Sequence, residues 1–166
     1  MKNEGKVFEK DFKNSVPKEI YIERLKDSTQ SFYKNEKVKF TPTNPYDFFI
    51  FKFPRLYCFE LKSTIGKSMS FWTNGDENKK MIKKHQIEGL TKASQFDGVV
   101  AGFILNWREN NNTYFLNIKD FNRFVKESMK KTLNENDIVQ YNGVLLKQNL
   151  LVTHYRYDVY DLLSRI

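Results

Sequence analysis

Asp47, Glu60 and Lys62 are the residues of this chain whose types and spacing could do chemistry together. Two carboxylates can hold a hard divalent cation, and a lysine beside them adds a third charge that must be satisfied. The stretch that must position them, Asn44 to Lys62, is dense in aromatic residues and reads as two strands. Proline suits the second position of a turn, so Phe53-Pro54-Arg55-Leu56 is read as the reversal, with Phe53 opposite Leu56. In that register Phe49 faces Glu60 and Asp47 faces Lys62. Directly opposed residues project from one face, so Asp47, Glu60 and Lys62 share a side of the hairpin. Asp47 and Glu60 then form a diagonal pair roughly 7–8 Å apart. Burying two carboxylates and an ammonium against apolar walls is costly without a partner, and a divalent metal would offset that cost.

The next element that bears on them is a helix expected from Asn78 to about Ala93, with Ile82, Leu90 and Ala93 on its apolar stripe. Gln86 falls on that stripe. A glutamine there is either a buried amide bonded to backbone or a ligand or water-orienting group beside a metal held by the carboxylates. Lys79, Lys80, Lys83 and Lys84 lie just before it, a basic run that could meet a polyanion.

The series Asp47…Glu60-x-Lys62, joined to His85-Gln86-Ile87-Glu88-Gly89-Leu90 at a helix start, resembles the active site of the PD-(D/E)XK nuclease superfamily. With the Gly5…Phe8-Glu9 beginning and the Tyr155-Arg156-Tyr157-Asp158 ending, it resembles the RecU Holliday-junction resolvases of bacteria and their phages. The resemblance implies an α/β fold, with a restriction-endonuclease-like mixed β-sheet flanked by helices. It implies Mg²⁺-dependent hydrolysis of DNA phosphodiesters, with Asp47 and Glu60 holding the metal, Gln86 completing or orienting its shell, and Lys62 stabilising charge on the phosphate. It also implies a homodimer that nicks a four-way junction symmetrically. Related resolvases place a glutamate on the first helix facing the metal, which makes Glu9 a further candidate ligand; otherwise Glu9 is a surface residue pairing with Lys13 at helical spacing. Oxygen ligands without cysteine favour Mg²⁺, with Mn²⁺ as substitute, over Zn²⁺.

Two departures stand out. The family tends to carry a threonine where this chain has Pro45. It also carries a long stalk before the hairpin, for which only about residues 30–43 are available here. Within that segment Lys34, Lys37 and Lys39, interleaved with Phe32, Tyr33 and Phe40, would either contact a branch point or form an ordinary lysine-guarded edge strand. Arg24 either binds a phosphate or covers Tyr21 with its stem. Two other readings keep the residues but change the role: a phage or mobile-element nuclease on duplex, flap or single-stranded DNA, or a non-catalytic DNA-binding accessory protein.

Composition agrees with a polyanionic partner. Lys+Arg 28 against Asp+Glu 20 gives a net charge of +8, spread along the 166 residues rather than gathered in a tail. The length suits one domain over residues 1–166. A single cysteine, Cys58, excludes an internal disulfide and a cysteine-built zinc site. With no apolar run long enough to span a membrane and no signal-peptide core, a cytoplasmic setting is expected. The remaining elements follow from periodicity. A helix is expected over about 6–15 and a second helical piece over 17–27. A central strand over 99–107 returns over 113–118, and a helix from 119 or 120 carries Phe121, Phe124, Val125 and Met129. A short helix over 158–166 ends the chain.

Overall fold

The computed structural model describes residues 3–25 and 44–166. Lys34, Lys37 and Lys39, with the aromatic residues around them, lie outside the described residues. The chain opens with α1 (Glu4–Ser15), capped by the Asn3 side chain, which accepts from the Lys6 backbone N–H. Then comes β1 (Tyr21–Arg24), where a helical piece is expected from sequence. The correction has a tertiary cause: Tyr21 to Arg24 pair antiparallel along Phe51 to Phe48, and sheet pairing overrides a short local helical preference.

The hairpin consists of β2 (Phe48–Lys52) and β3 (Arg55–Thr64). Its turn centres on Phe53 and Pro54, so Lys52 sits opposite Arg55 and Phe49 opposite Cys58. Pro54 occupies the third turn position, after a cis peptide bond, rather than the second. The expected register, Phe49 to Glu60, is therefore out by two residues on β3. Side chains alternate with a period of two, so a two-residue error leaves every residue on its expected face.

Beyond the hairpin lie β4 (Ser68–Ser70), a 3₁₀ turn over Glu77–Lys79 and α2 (Lys84–Ala93). The helix begins later than its apolar stripe suggests. Ile82 is held in an extended bridge to Phe71, its N–H donating to the Ser70 carbonyl at 3.0 Å. Next are β5 (Val99–Trp107), β6 (Asn112–Asn117) and α3 (Ile118–Ser128). Met129 leaves the apolar stripe: it adopts a left-handed conformation at the end of α3 and is exposed. The chain closes through β7 (Thr132–Asn134), α4 (Glu135–Gln140), β8 (Val144–Leu145), β9 (Gln148–Leu150), β10 (Tyr155–Tyr157) and α5 (Val159–Arg165).

Six strands form one mixed sheet in the order β1-β2-β3-β5-β6-β8, with β3 and β5 parallel and the other pairs antiparallel. Helices cover both faces, as the near-continuous apolar run of β5 requires. Phe8 and Phe12 of α1 and Leu162 and Leu163 of α5 pack with Phe48, Phe59 and Leu61 on one face. Leu90 of α2, Phe121 and Phe124 of α3 and Ile138 of α4 pack with Cys58, Phe103 and Leu105 on the other. Alternation along β3 therefore turns Glu60 and Lys62 toward the layer that contains α2.

Candidate active site

Asp47 stands just before β2, and its backbone is fixed from both sides. Its N–H donates to the Phe59 carbonyl at 3.0 Å and its carbonyl accepts from Leu25 N–H at 2.8 Å. The side chain reaches along the hairpin, where Oδ2 accepts from the Leu61 backbone N–H at 2.8 Å. Glu60, on the adjacent strand, is 3% exposed. Its Oε1 receives Lys62 Nζ at 2.7 Å and a hydrogen bond from Gln86 Nε2. Residues i and i+2 on one strand share a face, which is why Lys62 reaches Glu60 at all.

Gln86 serves two partners. Its Oε1 accepts from the Lys83 backbone N–H at 2.9 Å, capping the first turn of α2, while its Nε2 donates to Glu60. The backbone-bonded amide expected of this glutamine is observed, and the same side chain also reaches Glu60. Gly89, one turn further along α2, is a residue whose role sequence reasoning misses. A Cβ there would lie 2.3 Å from the Pro45 Cβ and 3.1 Å from its Cα. Only glycine lets the helix sit this close to the segment that leads into Asp47. Pro45, the departure from the family pattern, is thereby a packing surface for the helix. A glycine three residues after the glutamine, together with a proline two before the aspartate, is the available signal.

The electrostatics of this corner are adverse. Burial, the largest influence, pushes the Glu60 carboxyl up to about 8; Lys62 lowers it, while Asp47 and Glu9 raise it. Burial likewise pushes Asp47 up to about 6, opposed by the Leu61 N–H, Lys62 and Arg24 and reinforced by Glu9. Three carboxylates from three segments thus act on one another in a place poor in water, where like charges are costly.

Glu9 does not pair with Lys13. It takes Arg24, whose Nε and Nη2 both lie 2.8 Å from Glu9 Oε2. Arg24 also donates to the Leu25 carbonyl at 3.4 Å, so its guanidinium is anchored at the end of β1. Of the lysines ahead of α2, Lys79 and Lys84 are exposed, and Lys80 and Lys83 are half-buried. Lys84 Nζ lies 5.0 Å from the centre of the Trp72 ring and 3.7 Å from Glu88 Oε1. Lys83 is the residue capped by Gln86, so this basic run abuts the acidic corner directly.

The donor set is all oxygen. Asp47 and Glu60 supply carboxylates that repel each other when both are ionised, a charge pattern that suits a hard divalent cation. Among the described residues, no group of three or more His, Cys, Asp or Glu is arranged as a closed cage for one. Glu9 in particular is engaged by Arg24. The chemistry of the residues present, two carboxylates on one face of the hairpin, fits a hard cation taken through those two ligands.

No protein-family model matches this chain. It is similar to the SPbeta prophage-derived uncharacterized protein YotM of Bacillus subtilis (strain 168), 38% identical over 121 residues. The match covers 72% of this chain and 58% of that protein, so the chain spans less than two thirds of its relative's length. Among the described residues, no helix is long and apolar enough to cross a membrane.

Proposed function

We propose that this protein is a metal-dependent endodeoxyribonuclease that acts on branched DNA, with the four-way junction as its substrate and a homodimer as its working form. The observation that carries the reading is the acidic corner itself. Asp47 and Glu60 sit on one face of the hairpin, lifted to about 6 and about 8, with Lys62 at 2.7 Å from Glu60. Burial of a carboxylate pair beside one lysine is an expensive arrangement for a fold to keep, and perturbed groups of this kind concentrate at sites of chemistry. Prophage provenance of the similar protein suits a recombination role, and the net charge of +8 suits DNA.

Asp47 and Glu60 would hold Mg²⁺ or Mn²⁺, with Gln86 keeping Glu60 in its rotamer. Such a metal, when bound, polarises the scissile phosphate and lowers the pKa of water beside it. Lys62 contacts Glu60 before substrate arrives and then faces the negative charge that builds on the phosphate oxygens. Gly89 and Pro45 hold α2 close enough for Gln86 to reach the carboxylate. The lysines at 79, 80, 83 and 84 grip backbone phosphates next to that centre, which positions a strand without reading its bases.

The test is cleavage of a labelled four-way junction and a matched linear duplex in Mg²⁺ by the parent and by Asp47→Asn. The expected outcome is symmetric nicking of the junction by the parent, less cutting of the duplex, and no cutting by the variant. Equal cleavage by parent and variant would remove this site from the chemistry. Efficient duplex cutting without junction preference would keep the nuclease and discard the resolvase.

A further inference from the structure

The outward side of α1 carries a strip of positive charge that the acidic corner does not use. Lys6, Lys10 and Lys13 are all exposed, and with Glu9 and Arg24 they line a cleft of about 300 Å³. Their spacings of four and three residues put them on one helix face. Among the described residues no carboxylate pairs with any of the three ammonium groups. The one acid that lines the cleft among the described residues, Glu9, is engaged by Arg24 at 2.8 Å. Four cations against one carboxylate leave a surplus of three positive charges, held on a rigid helix.

The cleft lies beside the acidic corner: Leu25, the residue after Arg24, donates its N–H to the Asp47 carbonyl at 2.8 Å. Glu9 and Arg24, which form its inner wall, are the same residues that act electrostatically on Asp47. From Lys6 to Lys13 the helix rises about 10.5 Å, at 1.5 Å per residue. That length matches about three base-pair rises along the axis of a duplex, at about 3.4 Å of axis for each phosphate of one strand.

We propose that Lys6, Lys10, Lys13 and Arg24 form a second DNA-binding site, which holds the phosphates flanking the one presented to Asp47, Glu60 and Lys62. This rests on the nuclease reading and adds to it the path of the bound strand, along α1 rather than only across the lysines before α2. Arg24, tied to Glu9, marks where the cationic track ends and the acidic corner begins. The ligand is the sugar–phosphate backbone, so the site contributes affinity and direction and no sequence preference.

The experiment measures DNA binding in EDTA by the Asp47→Asn protein, full-length, using fluorescence anisotropy over a salt series with duplex and single-stranded oligonucleotides. Lys6, Lys10 and Lys13 are replaced together by glutamine, which keeps helix propensity. A second variant replaces Lys119, Lys126 and Lys131, exposed around α3 on the opposite side of the sheet, to remove the same charge elsewhere. Thermal melts of both confirm the fold. The α1 variant is expected to lower the log–log salt slope by about 2.7 on duplex or about 2.1 on single strands, at 0.9 or 0.7 for each phosphate no longer neutralised. The α3 variant is expected to leave it near the parent value. Equal changes in the two variants, or no change in either, would overturn the α1 site while leaving the nuclease reading intact. A parent that binds neither oligonucleotide at low salt would overturn both.

Discussion

Glu60 and Asp137 make a matched pair of buried carboxylates. Each is 3% exposed, and each takes a lysine ammonium, at 2.7 Å from Lys62 and 2.6 Å from Lys130 respectively. Their surroundings differ in sign. Asp137 lies in the first turn of α4 and accepts from the Asn134 backbone N–H at 3.0 Å. The Asn134 side chain in turn accepts from Asp137 N–H, a reciprocal cap at the positive end of a helix. Lys130, the Asn134 N–H and the helix terminus all stabilise the negative charge of Asp137. Glu60 accepts from Lys62 and from Gln86, a residue in the first turn of α2, yet Asp47 and Glu9 oppose its charge. Burial and a salt bridge therefore do not separate a carboxylate held for structure from one proposed for chemistry. What separates them is whether the remaining neighbours relieve the charge or add to it.

Substitution separates the two most visibly. Glu60→Gln should abolish cleavage and leave thermal stability unchanged or higher, because it removes a repelled charge. Asp137→Asn should do the reverse: it loses about 1 kcal/mol or more with the capping box and the Lys130 pair, and the folded fraction should keep its cutting rate. Thermal melts and single-turnover cleavage on both proteins check this. A Glu60→Gln protein as destabilised as Asp137→Asn would place the two carboxylates in the same class.

Lys62→Ala comes next in size. Loss of a donor aimed at developing charge should slow the chemical step by about 10²–10³-fold. It also removes the cation that holds the Glu60 carboxyl down, so Glu60 should ionise at higher pH still. The acid limb of the pH–rate profile is expected to move to higher pH. A slower rate with an unmoved limb would limit Lys62 to the phosphate.

Much of this corner is legible in the sequence because parity is robust. The register expected for the hairpin differs from the observed one by two residues, yet Asp47, Glu60 and Lys62 still emerge on one face, since a slip of two keeps the pleat in phase. Gln86 is legible as a polar residue on an apolar stripe. The strand at Tyr21–Arg24 is not, because its only support is pairing with Phe48 to Phe51, a partner far along the chain. The Glu9–Arg24 pair is hidden for the same reason: nearby in the sequence Lys13 offers an easier explanation. Gly89 reads as part of a motif without a task, since a close helix–loop approach leaves no mark on either segment alone.

The smallest effect, and the one that bears most directly on the contrast between relieved and opposed charge, is the response of stability to pH and to metal. Asp47 rises from 3.8 to about 6 and Glu60 from 4.5 to about 8 on folding. A carboxyl with a raised pKa binds its proton more tightly in the folded chain, so the fold gains where that proton is present. Stability from these two groups is complete below about pH 4 and is lost as pH climbs through about 6 and then about 8. Metal-free protein should therefore melt at progressively lower temperature across that window, by about 2–4 °C for each kcal/mol lost in a chain of this size. Mg²⁺ competes with those protons, so the rise in melting temperature that it produces should be larger at about pH 8.5 than at about pH 5.5. In the Asp47→Asn, Glu60→Gln double variant both trends should flatten, whereas Asp137→Asn should preserve them at a lower baseline. A melting temperature that is flat in pH for the parent, or a Mg²⁺ shift that survives in the double variant, would show that the charge at this corner is relieved by some other group and that the metal binds elsewhere.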